Sequence, residues 1–193
     1  ALCLRQGLIQ TRQAAVYSIH TGPAGAGHPQ VARVRTITTT NANPSPDPSR
    51  PLARTRYAFL TLPQYSMIAL TNAIEPLRMA NRVSGQVAYE WVVASLDGEP
   101  AVASNGMMLT PTVKLADAVN VDLVFVCGGV NVRDAISPAL ITALRRLAAR
   151  RLPLGALCTR GYALAHAGLL DGYDATIHWE NLSALREQFP RVL

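Results

Sequence analysis

The sequence predicts an α/β fold, a three-layer sandwich with helices on both faces of a mainly parallel sheet. Three observations carry that expectation. "VDLVFVCGG" (121–129) is an almost wholly apolar run, as expected of a strand buried on both faces of a parallel sheet. From residue 56 to residue 188, strand-like stretches alternate with stretches of helical period. The links between them are short, so each helix serves as a crossover between parallel strands, and such crossovers are right-handed.

Each element has its own local warrant. "RYAFLTL" (56–62) is a short β-type run. Ser66 is placed to cap a helix reaching about Ala80, with an apolar stripe of Met67, Leu70, Ile74 and Leu77. Pro76 lies inside that stripe and predicts a kink near Asn72. "YEWVVASL" (89–96) is a second strand, and the polar, glycine-containing residues 97–117 predict a small hairpin or excursion. After the 121–129 strand, Ser137 and Pro138 announce a helix at its cap and first turn. Its face carries Leu140, Ile141, Leu144, Leu147 and Ala148, and it ends in Arg150 and Arg151. "LPLGALC" (152–158) is a strand and "YALAHAGLL" (162–170) a helix. "DATIHW" (174–179) is expected as a last short strand before a helix from about Glu180 to Gln188.

Residues 1–53 follow different rules. They lack sustained periodicity, and residues 38–51 combine turn formers with four prolines, so they read as a disordered leader or linker. An Arg-rich, acid-poor transit peptide and upstream sequence outside the folded unit are the two further readings. The folded unit is then residues 54–193. The whole chain carries a formal charge of +6, but five arginines against one acid give residues 1–53 a net of +4. The folded part, with thirteen basic and eleven acidic residues, is near balance at +2, so the basic pI alone says little about nucleic acid. At 193 residues and 49% hydrophobic the chain suits one domain with a sizeable core, and no run approaches the roughly eighteen apolar residues of a membrane span. Cys3, Cys127 and Cys158 show no C-x-x-C pairing and no His/Cys cluster at ligand spacing. A reduced, cytoplasmic setting without metal or cofactor is the expectation.

Ligands of open parallel sheets collect outside the carboxyl ends of the strands. The Gly128–Gly129 turn, Cys158 and His178 converge there. A cysteine on a sharp strand-to-helix turn is raised on the rim, where helix amides favour its thiolate. The Thr159 amide and one near Gly129 are candidate oxyanion donors, and His178 is a candidate base. Cys158 therefore has three readings: nucleophile, pocket lining, or a buried thiol that only packs. Tyr65, Tyr162 and Trp179 near the same rim make a candidate cation–π cage, and core packing is the alternative for each. Cys127 reads as core and His166 as a surface or helix-packing residue. Arg145, Arg146, Arg150 and Arg151 read as a solvated helix face.

Four stretches, "AIEPLRMANRVSG", "ASNGMML", "VFVCGGVNVR" and "YALAHAGLLDGYDATIHWENL", jointly resemble the sensor domain of AraC-family transcriptional regulators of the GlxA type, relatives of the ThiJ/PfpI proteins. The resemblance runs from about Tyr57 to Val192. It implies a flavodoxin-like, amidotransferase-like fold, a homodimeric regulator and a small-molecule pocket, for which the rim reading above offers Tyr65, Gly128, Gly129, Cys158, Thr159, His178 and Trp179. The last stretch is most similar to the subgroup that senses quaternary-ammonium or amino-acid metabolites. DNA binding is then expected only through a downstream region absent here, and "FPRVL" (189–193) is expected to begin a strand of a sensor fold cut short. Two departures mark the chain. Hydrolytic or glyoxalase-type relatives place an acid on the first turn of the helix after the first strand, and Ala69 stands there, with Glu75 nearly two turns away. At the elbow, Ala156 meets the demand for small residues, but Arg160 stands where such regulators have glycine, and is expected to point to solvent or to cross the pocket mouth. A ligand-sensing domain without turnover is thus the first expectation. A cysteine-dependent hydrolase or glyoxalase of the ThiJ/PfpI kind is the second.

Overall fold

The computed structural model of the protein describes residues 54–175 and 177–193. The expected leader, 1–53, and Cys3 lie outside the described residues. Strands β1 (Thr55–Leu60), β2 (Tyr89–Ser95), β5 (Val113–Lys114), β6 (Leu123–Cys127) and β7 (Leu154–Leu157) form one sheet in the order β5-β2-β1-β6-β7, every neighbouring pair parallel. Between β2 and β5 the polar excursion forms an antiparallel hairpin of β3 (Ala101–Val102) and β4 (Met108–Leu109), as its glycine-containing sequence predicts.

Strand alternation sorts the core into two clusters, one per face. Ala58, Leu60, Val124, Val126, Leu154 and Ala156 meet α2 (Pro138–Ala149), α3 (Gly161–His166) and α4 (Leu182–Gln188) through Leu140, Leu144, Tyr162, Leu164 and Leu185. Phe59, Phe125, Cys127 and Leu157 point the other way, onto Leu70 and Leu77 of α1 (Met67–Ser84). Helix, sheet and helix make the three layers predicted. Tyr57, Phe59 and Phe125 stack along the α1 face with centroids 5.6–6.3 Å apart.

The capping residues act as their sequence positions require. Ser66 Oγ accepts from the Ala69 amide at 3.3 Å, and Ser137 Oγ accepts from the Leu140 amide at 3.1 Å with Pro138 on the first turn. Helix α1 runs without a break past buried Pro76 to Ser84, four residues beyond the expected end, and closes on Gly85 in the left-handed conformation.

The last strand is a correction. The described residues of 174–179 form no strand: a 3-10 turn begins at Trp179, and the segment before it bonds to the end of the chain. The Ala175 amide donates to Leu193 O, and the Leu193 amide donates to Tyr173 O. Residues 189–193 likewise begin no strand, because their hydrogen bonds are spent on 172–175. Of "DATIHW", Ala175 bonds Leu193 and His178 bonds the elbow at Cys158, and neither joins the sheet.

Ser137→Ala removes the α2 cap without touching the carboxyl rim. Urea denaturation should show a loss of about 1 kcal/mol at unchanged m-value.

Candidate functional site

The chain leaves β1 toward β2 on one side and later places β6 on the other, so the topological switch point lies between β1 and β6. Two loops border the crevice outside it, residues 61–66 after β1 and residues 128–132 after β6. The β7–α3 elbow closes it from the third side.

The glycine pair is held by close approach of backbones. A Cβ on Gly128 would stand 2.3 Å from Leu157 O and 2.6 Å from the Thr159 nitrogen; one on Gly129 would stand 1.7 Å from Gln64 O. Neither position has room for a side chain, because backbone presses from both neighbouring loops. Ser66 donates its amide to Gly128 O at 2.6 Å, while Val130 donates to Gln64 O at 3.1 Å. Thr159 closes the arrangement: its hydroxyl donates to Gly129 O at 2.6 Å and accepts from the Gly129 amide at 3.0 Å. That second bond uses the amide offered as an oxyanion donor near Gly129.

Arg160 overturns the expectation for the elbow. It neither reaches solvent nor crosses a mouth; its side chain is fully buried in the switch-point crevice. Nη1 donates to Val132 O at 3.0 Å, Nη2 to Pro63 O at 3.3 Å and Nε to Cys127 O at 3.4 Å. Among the described residues no carboxylate pairs with it. Burial lowers its pKa to about 10, still well above neutrality, so a charged guanidinium is held by carbonyl dipoles alone. The planar fork suits three acceptors that diverge from two separate loops and a strand end.

Cys158 sits on a true elbow, with φ of +58°, a left-handed conformation that a non-glycine residue adopts at a cost of about 1–3 kcal/mol. Gln64 and Asn131, on the two bordering loops, share that region with φ of +62° and +53°. The half-buried Cys158 thiol is pushed above the ordinary thiol range by burial, with the Glu180 charge acting in the same direction. The amide and hydroxyl of Thr159 and the charge of Arg160 oppose this and do not prevail. His178 reaches the elbow through backbone, its amide donating to Cys158 O at 3.3 Å. No hydrogen bond joins its ring to the sulfur among the described residues, and its Nδ1 stands 3.6 Å from Glu180 Oε2, beyond hydrogen-bonding range and without another partner. Ala69 is buried in the α1 core, so no acid reaches the thiol from that side.

The three aromatic residues do not gather. Tyr65 is buried in the α1-side core with an unpartnered hydroxyl, and Tyr162 is buried on the opposite face, bonded to Gln188 and packed edge-on against Phe189. Trp179 is 75% exposed beside the His178 ring. A cage from all three is excluded by the sheet between Tyr65 and Tyr162. Cys127 is core, as read from the sequence, and burial raises its thiol pKa. His166 packs on Tyr162 and Phe189. Arg145, Arg146, Arg150 and Arg151 are exposed, as read from the sequence, and Arg145 also donates Nε to Ala167 O at 3.0 Å, tying α2 to the end of α3. A shallow apolar hollow lined by Ala148, Leu152, Leu154 and Leu169 lies at the amino end of β7, away from the elbow. Sequence reasoning missed Arg160 as a structural centre; its one signal was a long cation at a position that wants a small residue.

Two outcomes follow. Arg160→Lys should destabilise the fold by about 3 kcal/mol or more in urea titration, because one ammonium cannot serve three fixed carbonyls and leaves buried acceptors unpaired. Iodoacetamide labelling of Cys158 should rise with pH through a midpoint above that of a free cysteine. Glu180→Gln should move this midpoint down, since the carboxylate charge raises it.

The sequence pattern of the DJ-1/PfpI family matches residues 58–190. The HTH-type transcriptional regulator GbdR of Pseudomonas aeruginosa is 48% identical over 134 residues, 69% of this chain and 36% of the regulator. GlxA of Rhizobium meliloti, another HTH-type transcriptional regulator, is 35% identical over 71% of this chain and 43% of its own length. The chain thus spans about two-fifths of these curated relatives. The crystal structure of an AraC family transcriptional regulator from Pseudomonas putida superposes with a TM-score of 0.65 at 32% identity, covering 72% of this chain and 74% of that one. An enzyme also appears among the relatives, isonitrile hydratase of Pseudomonas putida, at 32% identity over 63% of this chain and 51% of the enzyme. A parallel sheet whose fourth crossing ends in a strained cysteine elbow, and a match that runs through every element from β1 to α4, have one common explanation: the chain belongs to the DJ-1/PfpI family.

Proposed function

We propose that the chain is the ligand-sensing part of an AraC-type transcriptional regulator, that residues 54–193 form its sensor domain, and that it binds a small effector without turning it over. The carrying observation is the state of the thiol. Burial and Glu180 hold Cys158 protonated, no ring bond reaches it from His178, and Ala69 stands where an acid would tune it. The rim formed by Cys158, Thr159, His178 and Trp179, with Tyr65 and the Gly128–Gly129 turn behind it, is the proposed effector site. A quaternary-ammonium or amino-acid metabolite is the proposed effector, on the likeness of 162–182 to sensors of such compounds. Exposed Trp179 supplies an aromatic face for a cation. The sensor acts as a homodimer in the cytoplasm. Contact with DNA falls to a part of the regulator outside this chain, in keeping with the near-balanced charge of residues 54–193. Among the described residues no helix is long and apolar enough to cross a membrane.

The second reading is a cysteine-dependent hydrolase or glyoxalase, favoured by the left-handed elbow at Cys158 and by the isonitrile hydratase relative. One set of measurements separates the two. A thermal-shift series with glycine betaine, carnitine and arginine should raise the melting temperature for one of them, and Trp179→Ala should weaken that response. A flat response to all three removes the effector class. Removal of methylglyoxal or hydrolysis of an amide by the purified chain, abolished in Cys158→Ala, would replace the sensor by the enzyme.

A further inference from the structure

Three backbone carbonyls, of Pro63, Cys127 and Val132, converge on one point of the switch-point crevice, each from a different segment. Hydrogen bonds that do not involve Arg160 hold these segments in place. Pro63 lies between the Thr61 amide, which donates to Ala94 O, and the Gln64 amide, which donates to Val102 O, both at 2.8 Å. Beside Cys127, the Gly128 amide donates to Leu157 O at 3.0 Å. Val132 is bracketed by Val130, donating to Gln64 O, and Asp134, donating to Asn131 O, both at 3.1 Å. The cradle is thus organised in advance of its occupant.

The occupant is a side chain on a tether. The Arg160 backbone has bonds of its own, its amide donating to Leu157 O at 3.3 Å and its carbonyl accepting from Ala163 at 3.0 Å, so the elbow does not owe its path to the guanidinium. The cradle's chemistry names the class of ligand it takes. Three buried carbonyl oxygens favour positive charge, and each needs an N–H, or the burial leaves it unpaired. Quaternary ammonium has the charge without the N–H; a neutral amide has the N–H without the charge. A planar guanidinium has both, with donors that diverge in one plane, and Nε, Nη1 and Nη2 of Arg160 stand 3.0–3.4 Å from the three oxygens. The side chain is fully buried, so no route for a second cation into the crevice stays open beside it.

We propose that the switch-point crevice is a receptor for a guanidinium group, that its resident ligand is the chain's own Arg160, and that Arg160 sets specificity by closing the crevice to external cations and confining an effector to the Cys158 rim. Arg160→Ala empties the seat. In a thermal-shift series on the full chain this variant should melt below the native chain. Millimolar guanidinium chloride, too dilute to denature, should then raise its melting temperature by about 2–4 °C once several-fold above its Kd. Urea and tetramethylammonium chloride at equal concentrations should not. The native chain should not gain from guanidinium, because a tethered occupant competes at an effective concentration in the millimolar range or above. A folded variant indifferent to guanidinium overturns the proposal, as does an equal gain from urea or tetramethylammonium, or an equal gain in the native chain. If Arg160→Ala does not fold alone, its refolding yield in the same three solutes is the readout, and a yield that guanidinium does not selectively raise counts against the receptor. Nitrogen-15 NMR of the native chain needs no variant: the Arg160 Nε–H should be protected from exchange and unmoved by millimolar arginine, and exchange as free as that of exposed Arg146 overturns the proposal. Crevice and rim fail separately. A chain that answers one of the three metabolites but gives no guanidinium rescue keeps its effector and loses the receptor, and a rescued variant of a chain deaf to all three does the reverse.

Discussion

A buried guanidinium that meets no carboxylate among the described residues organises the carboxyl rim of this protein. Arg160 hydrogen-bonds the carbonyls of Pro63, Cys127 and Val132, which belong to the loop after β1, the end of β6 and the loop after β6. Taking a cation out of water costs several kcal/mol, and only acceptors fixed in advance offset it. The fixing is visible around it. Gly128 and Gly129 let the three backbones approach within distances no side chain tolerates, and Thr159 and Ser66 bond the glycine carbonyls from opposite sides. The crevice in which an open parallel sheet ordinarily takes its ligand is thus filled by the chain's own side chain, and the accessible chemistry moves outward to Cys158.

That displacement explains the character of the rim. Three non-glycine residues in the left-handed region, Gln64, Asn131 and Cys158, surround one crevice, and such conformations persist only where neighbouring structure over-determines them. The thiol is raised by the elbow into view, as a nucleophile is. Yet its surroundings favour the neutral form: burial and Glu180 act together, and the Thr159 hydroxyl is shared with Gly129. An elbow geometry without an activated sulfur suits a binding surface, and it suits the company this chain keeps among DJ-1/PfpI proteins, where regulators of transcription stand beside an enzyme.

The loop after β1 joins the rim to the hairpin. Gln64 and Ser66 bond the glycine turn, and Gln64 and Tyr65 bond the apolar hairpin. The four residues Pro63 to Ser66 are thus bonded to the glycine turn, to the hairpin and, through Pro63 O, to Arg160.

The sequence by itself determined the layers, the order of helices and parallel strands, both serine caps, the hairpin and the position of the elbow. These follow from periodicity, cap chemistry and apolar runs, all of which act over a few residues and survive being read one segment at a time. Tertiary structure decided the rest. "DATIHW" alternates like a strand, but its hydrogen bonds went to the end of the chain, a partner that periodicity cannot name. Tyr65 and Tyr162 look like neighbours on a rim and lie on opposite faces of a sheet. Above all, Arg160 reads as a cation that points to solvent or crosses the pocket mouth, because burying a charge is costly unless partners await it. The three carbonyls that make burial possible come from residues up to 97 positions away, and only the folded chain brings them to one point.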